Sequence, residues 1–205
     1  MTKIKICGLK TLEDVAAVNQ VKPDYVGFVF ANTKRYVTDA QAKAMREMLL
    51  PEIQTVGVFV NEPMEHVIQL CREGTIQMIQ LHGDESEAYA KALRKKVDNP
   101  VIRAIRVQST QQILAFRNYP CDYFLFDTYK KNAYGGTGET FDRTLIPSTN
   151  KPFFLAGGLG EDNVQEAIRQ CAPYAVDVSS SVETEGSKDV DKIVAFVKKV
   201  RSYQI

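Results

Sequence analysis

The amino-acid sequence predicts a single (β/α)₈ barrel that spans residues 1–205. Eight short apolar runs, rich in β-branched residues, recur along the chain with helix-like stretches between them. Most of these runs are continuous rather than alternating, as is typical of parallel strands covered on both faces. Their starts are roughly 20 to 30 residues apart, which is enough for a strand, a helix and two loops. A doubly wound open sheet is the alternative, but it usually has fewer strands and leaves an edge.

The eight predicted strands follow the apolar runs in chain order. They are Lys3–Cys7, Tyr25–Phe30, Thr55–Val60, Met78–Leu81, Val101–Val107, Tyr123–Phe126, Phe153–Ala156 and Ala175–Val178. No change of composition or low-complexity tract separates one part of the chain from another. The pattern therefore predicts one domain.

The segments between the strands predict helices with one apolar face. Thr11 and Asp14 form a capping-box pattern at the start of the first helix, with Asp in place of the usual Glu. The remaining helices are predicted at Thr38–Leu50, Met64–Cys71, Glu85–Lys96, Thr110–Arg117, Thr140–Ile146, Val164–Cys171 and Ile193–Val200. The segment Thr140–Ile146 has the weakest helical pattern, so a short turn of helix is the alternative there.

Composition excludes several classes of partner. With 26 basic and 25 acidic residues, the net charge of +1 gives no electrostatic reason to bind nucleic acid or an anionic membrane. No apolar run approaches the roughly 20 residues of a membrane span. The segment Met1–Cys7 has no apolar core of a signal peptide, so we expect a cytoplasmic protein. The sequence leaves open whether the chain is a monomer or a homodimer.

The cysteines and histidines do not predict a metal site. The four cysteines lie far apart, without a CxxC pair or a Cys/His cluster, so neither a zinc site nor a disulfide framework is indicated. His66 and His82 have no second ligand nearby in sequence. We therefore expect no metal.

In a (β/α)₈ barrel the active site lies at the carboxyl ends of the strands, which selects candidate residues. Cys7 ends the first strand just before a predicted helix N-terminus, a position that can lower the pKa of a thiol and supply a thiolate base or nucleophile. A small buried hydrophobe is the alternative. Asp127 comes directly after the apolar run Tyr123–Phe126, at a strand end where it can act as a general acid. A loop or cap aspartate is the alternative.

The loops after the last two strands predict a phosphate site. Gly157 and Gly158 follow the seventh strand, while Asp177 opens a segment that continues to Ser179 and Ser180. Backbone amides and hydroxyls at these places form the common phosphate cup of this fold, although plain turns are the alternative.

Three further features lie near other strand ends. Arg35 follows the second strand and has the fork geometry that suits a carboxylate, with a surface arginine as the alternative. His82 follows the fourth strand and is placed to line the site. The glycine cluster within residues 135–138 is either a mobile loop over the site or an ordinary turn.

Seven segments together resemble the phosphoribosylanthranilate isomerase family, the cofactor-free barrel enzymes of tryptophan biosynthesis. They occur in order and with similar spacing, and they cover seven of the eight βα units. The segments are Lys5–Gly8, Gly27–Phe30 with Lys34–Val37, Gly57–Asn61, Gln80–Gly83, Phe126–Asp127 with Gly135–Gly138, Leu155–Leu159 and Val176–Ser180.

The resemblance implies an Amadori rearrangement of N-(5'-phosphoribosyl)anthranilate to its 1-deoxyribulose isomer. It assigns the general acid to Asp127 and the base to Cys7, as a thiolate. It implies that Arg35 holds the anthranilate carboxylate and that the loops at Gly157–Gly158 and Ser179–Ser180 hold the phosphate. His82 and Asp177 are expected to complete the substrate site, and no metal or organic cofactor is required.

Two other functions remain open from the sequence. The first is catalysis by another type of phosphosugar barrel enzyme, either an epimerase or a neighbouring indole-pathway enzyme. An epimerase usually needs metal ligands, and the indole-pathway enzyme typically uses a lysine or glutamate pair. The other is a phosphate-binding barrel without catalytic activity, which would tolerate the loss of Cys7 and Asp127.

Overall fold

The computed structural model describes residues 1–129 and 140–203, and in it eight parallel strands close into a barrel. Each strand pairs with the next in sequence, and β8 pairs with β1 to close the sheet. The strands are β1 Lys3–Cys7, β2 Tyr25–Val29, β3 Gln54–Phe59, β4 Met78–Leu81, β5 Val101–Val107, β6 Tyr123–Thr128, β7 Phe153–Leu155 and β8 Ala175–Val178. The predicted fold class is confirmed.

Seven α-helices alternate with these strands in the described part of the chain. They are α1 Leu12–Val21, α2 Asp39–Met48, α3 Met64–Arg72, α4 Glu87–Leu93, α5 Thr110–Ala115, α6 Val164–Cys171 and α7 Val190–Arg201. The predicted capping box of α1 is confirmed: the Asp14 amide donates to the Thr11 hydroxyl, and the Asp14 carboxylate accepts from the Thr11 amide. A second capping box, Thr38 with Gln41, starts α2.

The segment predicted at Thr140–Ile146 forms only a short turn, a 3₁₀ helix at Arg143–Leu145. This outcome agrees with the weak helical pattern there. The prediction ended the sixth strand at Phe126, whereas β6 continues through Asp127 and Thr128. The extension is possible because Asp127 and Thr128 pair in register with the end of the longer neighbouring strand β5.

The two largest of the three apolar clusters in the described residues hold the barrel together. The larger core lies between the strands and the surrounding helices, where Phe28, Phe59 and Phe126 are fully buried. A second core fills the barrel interior and includes Val56 and Phe154. Because parallel strands have both faces covered, they read as continuous apolar runs in the sequence.

A short antiparallel hairpin, absent from the sequence-based prediction, follows the barrel strands. After a 3₁₀ turn at Ser180–Val182, β9 (Glu183–Thr184) pairs with β10 (Ser187–Lys188). The two linking residues, Glu185 and Gly186, both have positive φ angles, as two-residue hairpin turns of the I′ type require. The hairpin lies between the loop after β8 and the start of α7.

Candidate active site

All nine residues selected from the sequence line one pocket at the carboxyl ends of the strands. The pocket has a volume of about 270 Å³. The nine are Cys7, Arg35, His82, Asp127, Gly157, Gly158, Asp177, Ser179 and Ser180. The glycine cluster at residues 135–138 lies outside the described residues.

Cys7 is the last residue of β1, and its thiol is buried against the neighbouring strand. A Cβ atom on Gly27 would lie only 2.6 Å from the Cys7 Sγ, so a glycine on β2 makes room for the sulfur. The backbone carbonyl of Cys7 accepts a hydrogen bond of 2.9 Å from the Ser179 hydroxyl. This bond ties the loop after β8 to the candidate base.

The expectation that a helix N-terminus lowers the thiol pKa is wrong. Burial raises the pKa of Cys7, and the charges of Lys5 and Lys188 only partly oppose this effect. The helix α1 begins at Leu12, five residues beyond Cys7, and the Asp14 carboxylate accepts the N–H groups of Lys10 and Thr11. The effect of a helix terminus fades within its first turn, so desolvation dominates at Cys7.

Below Cys7, the barrel interior holds a buried ion pair. Lys5 Nζ lies 3.0 Å from both carboxylate oxygens of Asp177, across the closure of β1 on β8. Burial by itself lowers the pKa of Lys5, but the Asp177 carboxylate raises it above the ordinary value. Asp177, expected in the substrate site, thus lines the pocket while its carboxylate is held by Lys5.

Asp127 and His82 are neighbours in the pocket lining. Asp127 Oδ1 accepts the backbone N–H of Thr128 at 2.8 Å, and Oδ2 lies 3.5 Å from His82 Nε2. The side-chain amide of Gln80 lies 2.9 Å from His82 Nδ1. With Nδ1 accepting from that amide, a neutral His82 carries its proton on Nε2, toward Asp127. Within residues 1–129 and 140–203, His82 Nε2 has no hydrogen-bond partner.

Arg35 is buried in the pocket wall and its guanidinium fork already holds a carboxylate. Arg35 Nε and Nη2 donate to the two oxygens of Glu183 at 2.7 and 2.9 Å. The side chain lies across Gly8, where a Cβ atom would overlap its Cδ atom. The alternative of a surface arginine is therefore wrong, because the ion pair and the absent Cβ atom hold Arg35 inside.

The two loops expected to form a phosphate cup adjoin each other. Gly157 and Gly158 have φ angles of 83° and 61°, a conformation that glycine adopts without strain. A Cβ atom on Gly157 would overlap Thr128 of the neighbouring strand. The Ser181 hydroxyl donates to the Leu159 carbonyl and joins the two loops.

Sequence reasoning missed four polar residues that shape this pocket. They are Lys5, Gln80, Glu183 and Lys188. A signal was present for two of them, since Lys5 and Gln80 are polar residues within mostly apolar strands. Glu183 and Lys188 flank the Glu185–Gly186 turn, which lacks the Asn-Gly, Asp-Gly or Gly-Gly pair that usually marks a hairpin, so no local signal indicated them.

Comparisons with known proteins place the chain in a family. The model of the N-(5'phosphoribosyl)anthranilate (PRA) isomerase family matches residues 4–199. The isomerase of that name from Lachnoclostridium phytofermentans is 47% identical over 208 residues, covering 95% of each chain. None of the helices in the described ranges is long and apolar enough to cross a membrane.

Solved structures agree with this placement. The phosphoribosyl anthranilate isomerase of Thermus thermophilus superposes with a TM-score of 0.86 at 30% identity, covering 99% of this chain and 100% of that one. Another phosphoribosyl anthranilate isomerase was solved in complex with reduced 1-(o-carboxyphenylamino)-1-deoxyribulose 5-phosphate. It has a TM-score of 0.81 at 32% identity, covering 98% of this chain and 99% of that one. Sequence, family model and fold agree: the chain belongs to the N-(5'-phosphoribosyl)anthranilate isomerase family.

Proposed function

We propose that this chain catalyses the reaction of its family, the Amadori rearrangement of N-(5'-phosphoribosyl)anthranilate in L-tryptophan biosynthesis. The product is 1-(2-carboxyphenylamino)-1-deoxyribulose 5-phosphate. The observation that carries the proposal is that one acid, Asp127, and one base, Cys7, line the same pocket from β6 and β1. The proposal includes a cytoplasmic location. The four free cysteines are consistent with it, because thiols are kept reduced in the cytoplasm.

Asp127 is proposed as the general acid that opens the furanose ring. Ring opening needs a proton at the ring oxygen, and a positioned carboxylic acid supplies it. Because Asp127 Oδ1 accepts the Thr128 N–H, the transferable proton belongs on Oδ2. After the transfer, the Asp127 carboxylate faces the nearby His82 Nε2, which lies 3.5 Å from Oδ2.

Cys7 is proposed as the base that removes the proton from C2. The thiolate is the reactive form, so burial, which raises the pKa of Cys7, opposes the reaction unless nearby positive charge stabilises the anion. Lys5 and Lys188 supply that charge. The nitrogen of the substrate becomes a protonated Schiff base and accepts the electron pair, so the mechanism requires neither a metal nor an organic cofactor.

The remaining pocket residues are proposed to bind the ends of the substrate. Arg35 holds the anthranilate carboxylate, while the loops at Gly157–Gly158 and Ser179–Ser180 hold the phosphate through backbone amides and hydroxyls. His82 and Asp177 line the space between these ends. All of these residues come from one chain, so a monomer and a homodimer would each contain the complete set.

The test is an assay of the purified protein with freshly prepared N-(5'-phosphoribosyl)anthranilate, following the loss of anthranilate fluorescence. We expect turnover that persists in EDTA. Folded protein that binds the substrate without converting it would favour a non-catalytic barrel. Activity that EDTA abolishes and added metal restores would contradict the proposed mechanism.

A further inference from the structure

The hairpin after β8 places two charged side chains opposite each other at the rim of the barrel. Glu183 and Lys188 are direct cross-strand partners in β9 and β10. Contacts outside the hairpin fix its position: Lys10 Nζ donates to the Gly186 carbonyl at 2.8 Å, and Lys192 Nζ donates to the Glu183 carbonyl at 3.0 Å. The hairpin is therefore held in place directly behind the pocket lining, where Glu183 contacts Arg35 and Lys188 contacts Ser179.

Glu183 binds two buried cations at once. Its Oε1 accepts from Arg35 Nε at 2.7 Å and from Lys188 Nζ at 2.9 Å, and its Oε2 accepts from Arg35 Nη2 at 2.9 Å. The side chains of Arg35, Glu183 and Lys188 are 10%, 6% and 1% exposed. Although burial alone would raise the pKa of Glu183, Arg35 and Lys188 lower it to about 2, so the carboxylate stays ionised.

The charges of this cluster do not cancel. Two buried cations share one carboxylate, so the buried side chains of Arg35, Glu183 and Lys188 together carry one excess positive charge. The exposed Lys34 adds a further cation, with its Nζ 3.9 Å from Glu183 Oε2. The bonds to Glu183 use two of the five N–H donors of the Arg35 guanidinium. A ligand carboxylate would neutralise the excess charge and could accept from the remaining donors.

Lys188 connects the same cluster to the loop after β8. Its Nζ donates to the Ser179 carbonyl at 3.0 Å. Because a trans peptide is planar, with its C=O and N–H pointing in opposite directions, this bond also fixes the direction of the Ser180 N–H. The Glu183 carboxylate thus links Arg35, through Lys188, to the serine loop after β8.

We propose that Glu183 is a positioning residue that orients the Arg35 fork toward the substrate carboxylate and, through Lys188, couples Arg35 to the phosphate loop. The inference rests on the proposed function, in which Arg35 holds the anthranilate carboxylate. It excludes the opposite role, in which Glu183 competes with the substrate for Arg35. The two roles differ in sign, since loss of a positioning group raises KM and loss of a competitor lowers it.

The experiment compares the steady-state kinetics of Glu183→Gln, Arg35→Ala and the double variant with those of the wild type. We expect Glu183→Gln to raise KM about tenfold, the scale of a lost charge-assisted contact, with a much smaller effect on kcat. If Glu183 acts through Arg35, the same change should have little effect in the Arg35→Ala background. Glu185→Gln is the matched control, because Glu185 is exposed in the turn of the same hairpin; it should leave KM unchanged.

Lys188→Met is a second variant that removes the link to Ser179, and it should also raise KM. Inorganic phosphate, tested as a competitive inhibitor, should bind this variant more weakly than it binds the wild type. An active wild type together with an unchanged or lowered KM in Glu183→Gln would overturn the positioning role. The positioning role would also be overturned if Glu183→Gln raised KM by the same factor in the Arg35→Ala background as in the wild type. An inactive wild type would instead refute the proposed function.

Discussion

At Cys7, the burial that shields the thiol from water also disfavours the thiolate that the proposed reaction needs. The thiol lies in a wall where the nearby cations Lys5 and Lys188 each also bind a carboxylate, Asp177 and Glu183 respectively. The basicity of Cys7 therefore depends on how these ion pairs are arranged. A single residue of the site cannot be interpreted apart from its charged neighbours.

The first prediction concerns the acid and the base. Cys7→Ala and Asp127→Asn should each lower kcat by about 10²–10⁴-fold with a modest change in KM, the range typical of general acid–base groups. Steady-state kinetics measure the effect. Cys171→Ala is the control, because Cys171 ends α6 outside the pocket and should not affect kcat. Full activity in either site variant would refute the assignment of that residue.

The second prediction tests the glycines of the phosphate cup. Gly158→Val should raise KM at least about tenfold, because its side chain would fill space meant for an anion near the main chain. Gly158 has a φ of 61°, so the substitution also strains the backbone. Gly74→Val is the matched control: Gly74 has a φ of 72° and open space around it, so its variant should lower the melting temperature without changing KM. An unchanged KM in Gly158→Val would place the phosphate elsewhere.

At the scale of elements, one histidine joins two helices. His66 in α3 lies 2.9 Å from Asp39 in the first turn of α2 and 2.7 Å from Glu62, which precedes α3. Partial burial by itself lowers the pKa of His66, but its bonds to Glu62 and Asp39 raise it above the ordinary value. Protonated His66 thus stabilises the packing of these two helices.

The third prediction follows from the direction of this shift. Because the folded pKa is raised, the contribution of His66 to stability is complete below its unfolded pKa of about 6.5 and is lost as the pH rises through the folded value. The difference in free energy of unfolding between wild type and His66→Gln should therefore be larger at about pH 5.5 than at about pH 8.5. Urea denaturation at the two pH values measures it, and Glu62→Gln should reduce the pH dependence. Equal differences at both pH values would contradict this role.

At the scale of the whole molecule, most of the interior core lies apart from the candidate site, and only Ala156 of its buried residues in the described part of the chain also lines the pocket. Phe154 is fully buried in the interior, and its ring centroid lies 5.4 Å from that of Tyr25 and 5.6 Å from that of Tyr123. The pocket opens beyond the carboxyl ends of the same strands. Stability and binding should therefore respond to different substitutions.

The fourth prediction uses this separation. Phe154→Ala should lower the free energy of unfolding by about 3–5 kcal/mol, the usual range for such a cavity, with little change in KM of the folded fraction. Leu114→Ala is the control, since Leu114 is 46% exposed and should change stability by less than about 0.5 kcal/mol. Denaturant unfolding monitored by circular dichroism gives both values. A small loss at Phe154 would show that the interior repacks around the cavity.

The sequence by itself determined the barrel and the set of residues at its rim. Runs such as Tyr123–Phe126 predict buried parallel strands because a strand that is covered on both faces needs apolar residues at successive positions. Once eight such strands form a barrel, their carboxyl ends must lie at one rim, so Cys7 and Asp127 could be placed there without coordinates. The ordered segments that resemble the family then indicated the reaction.

Only the tertiary structure decided which charges meet. Arg35 and Glu183 are 148 residues apart in sequence, and Lys5 and Asp177 are 172 apart. No local pattern encodes such pairs, because the register of β1 on β8 and the position of a late hairpin bring them together. The same long-range packing buries Cys7 and sets the direction of its pKa shift, which a rule based on the nearby helix predicted wrongly. Local periodicity determines the elements, whereas the electrostatics of the site depend on how the closed barrel assembles them.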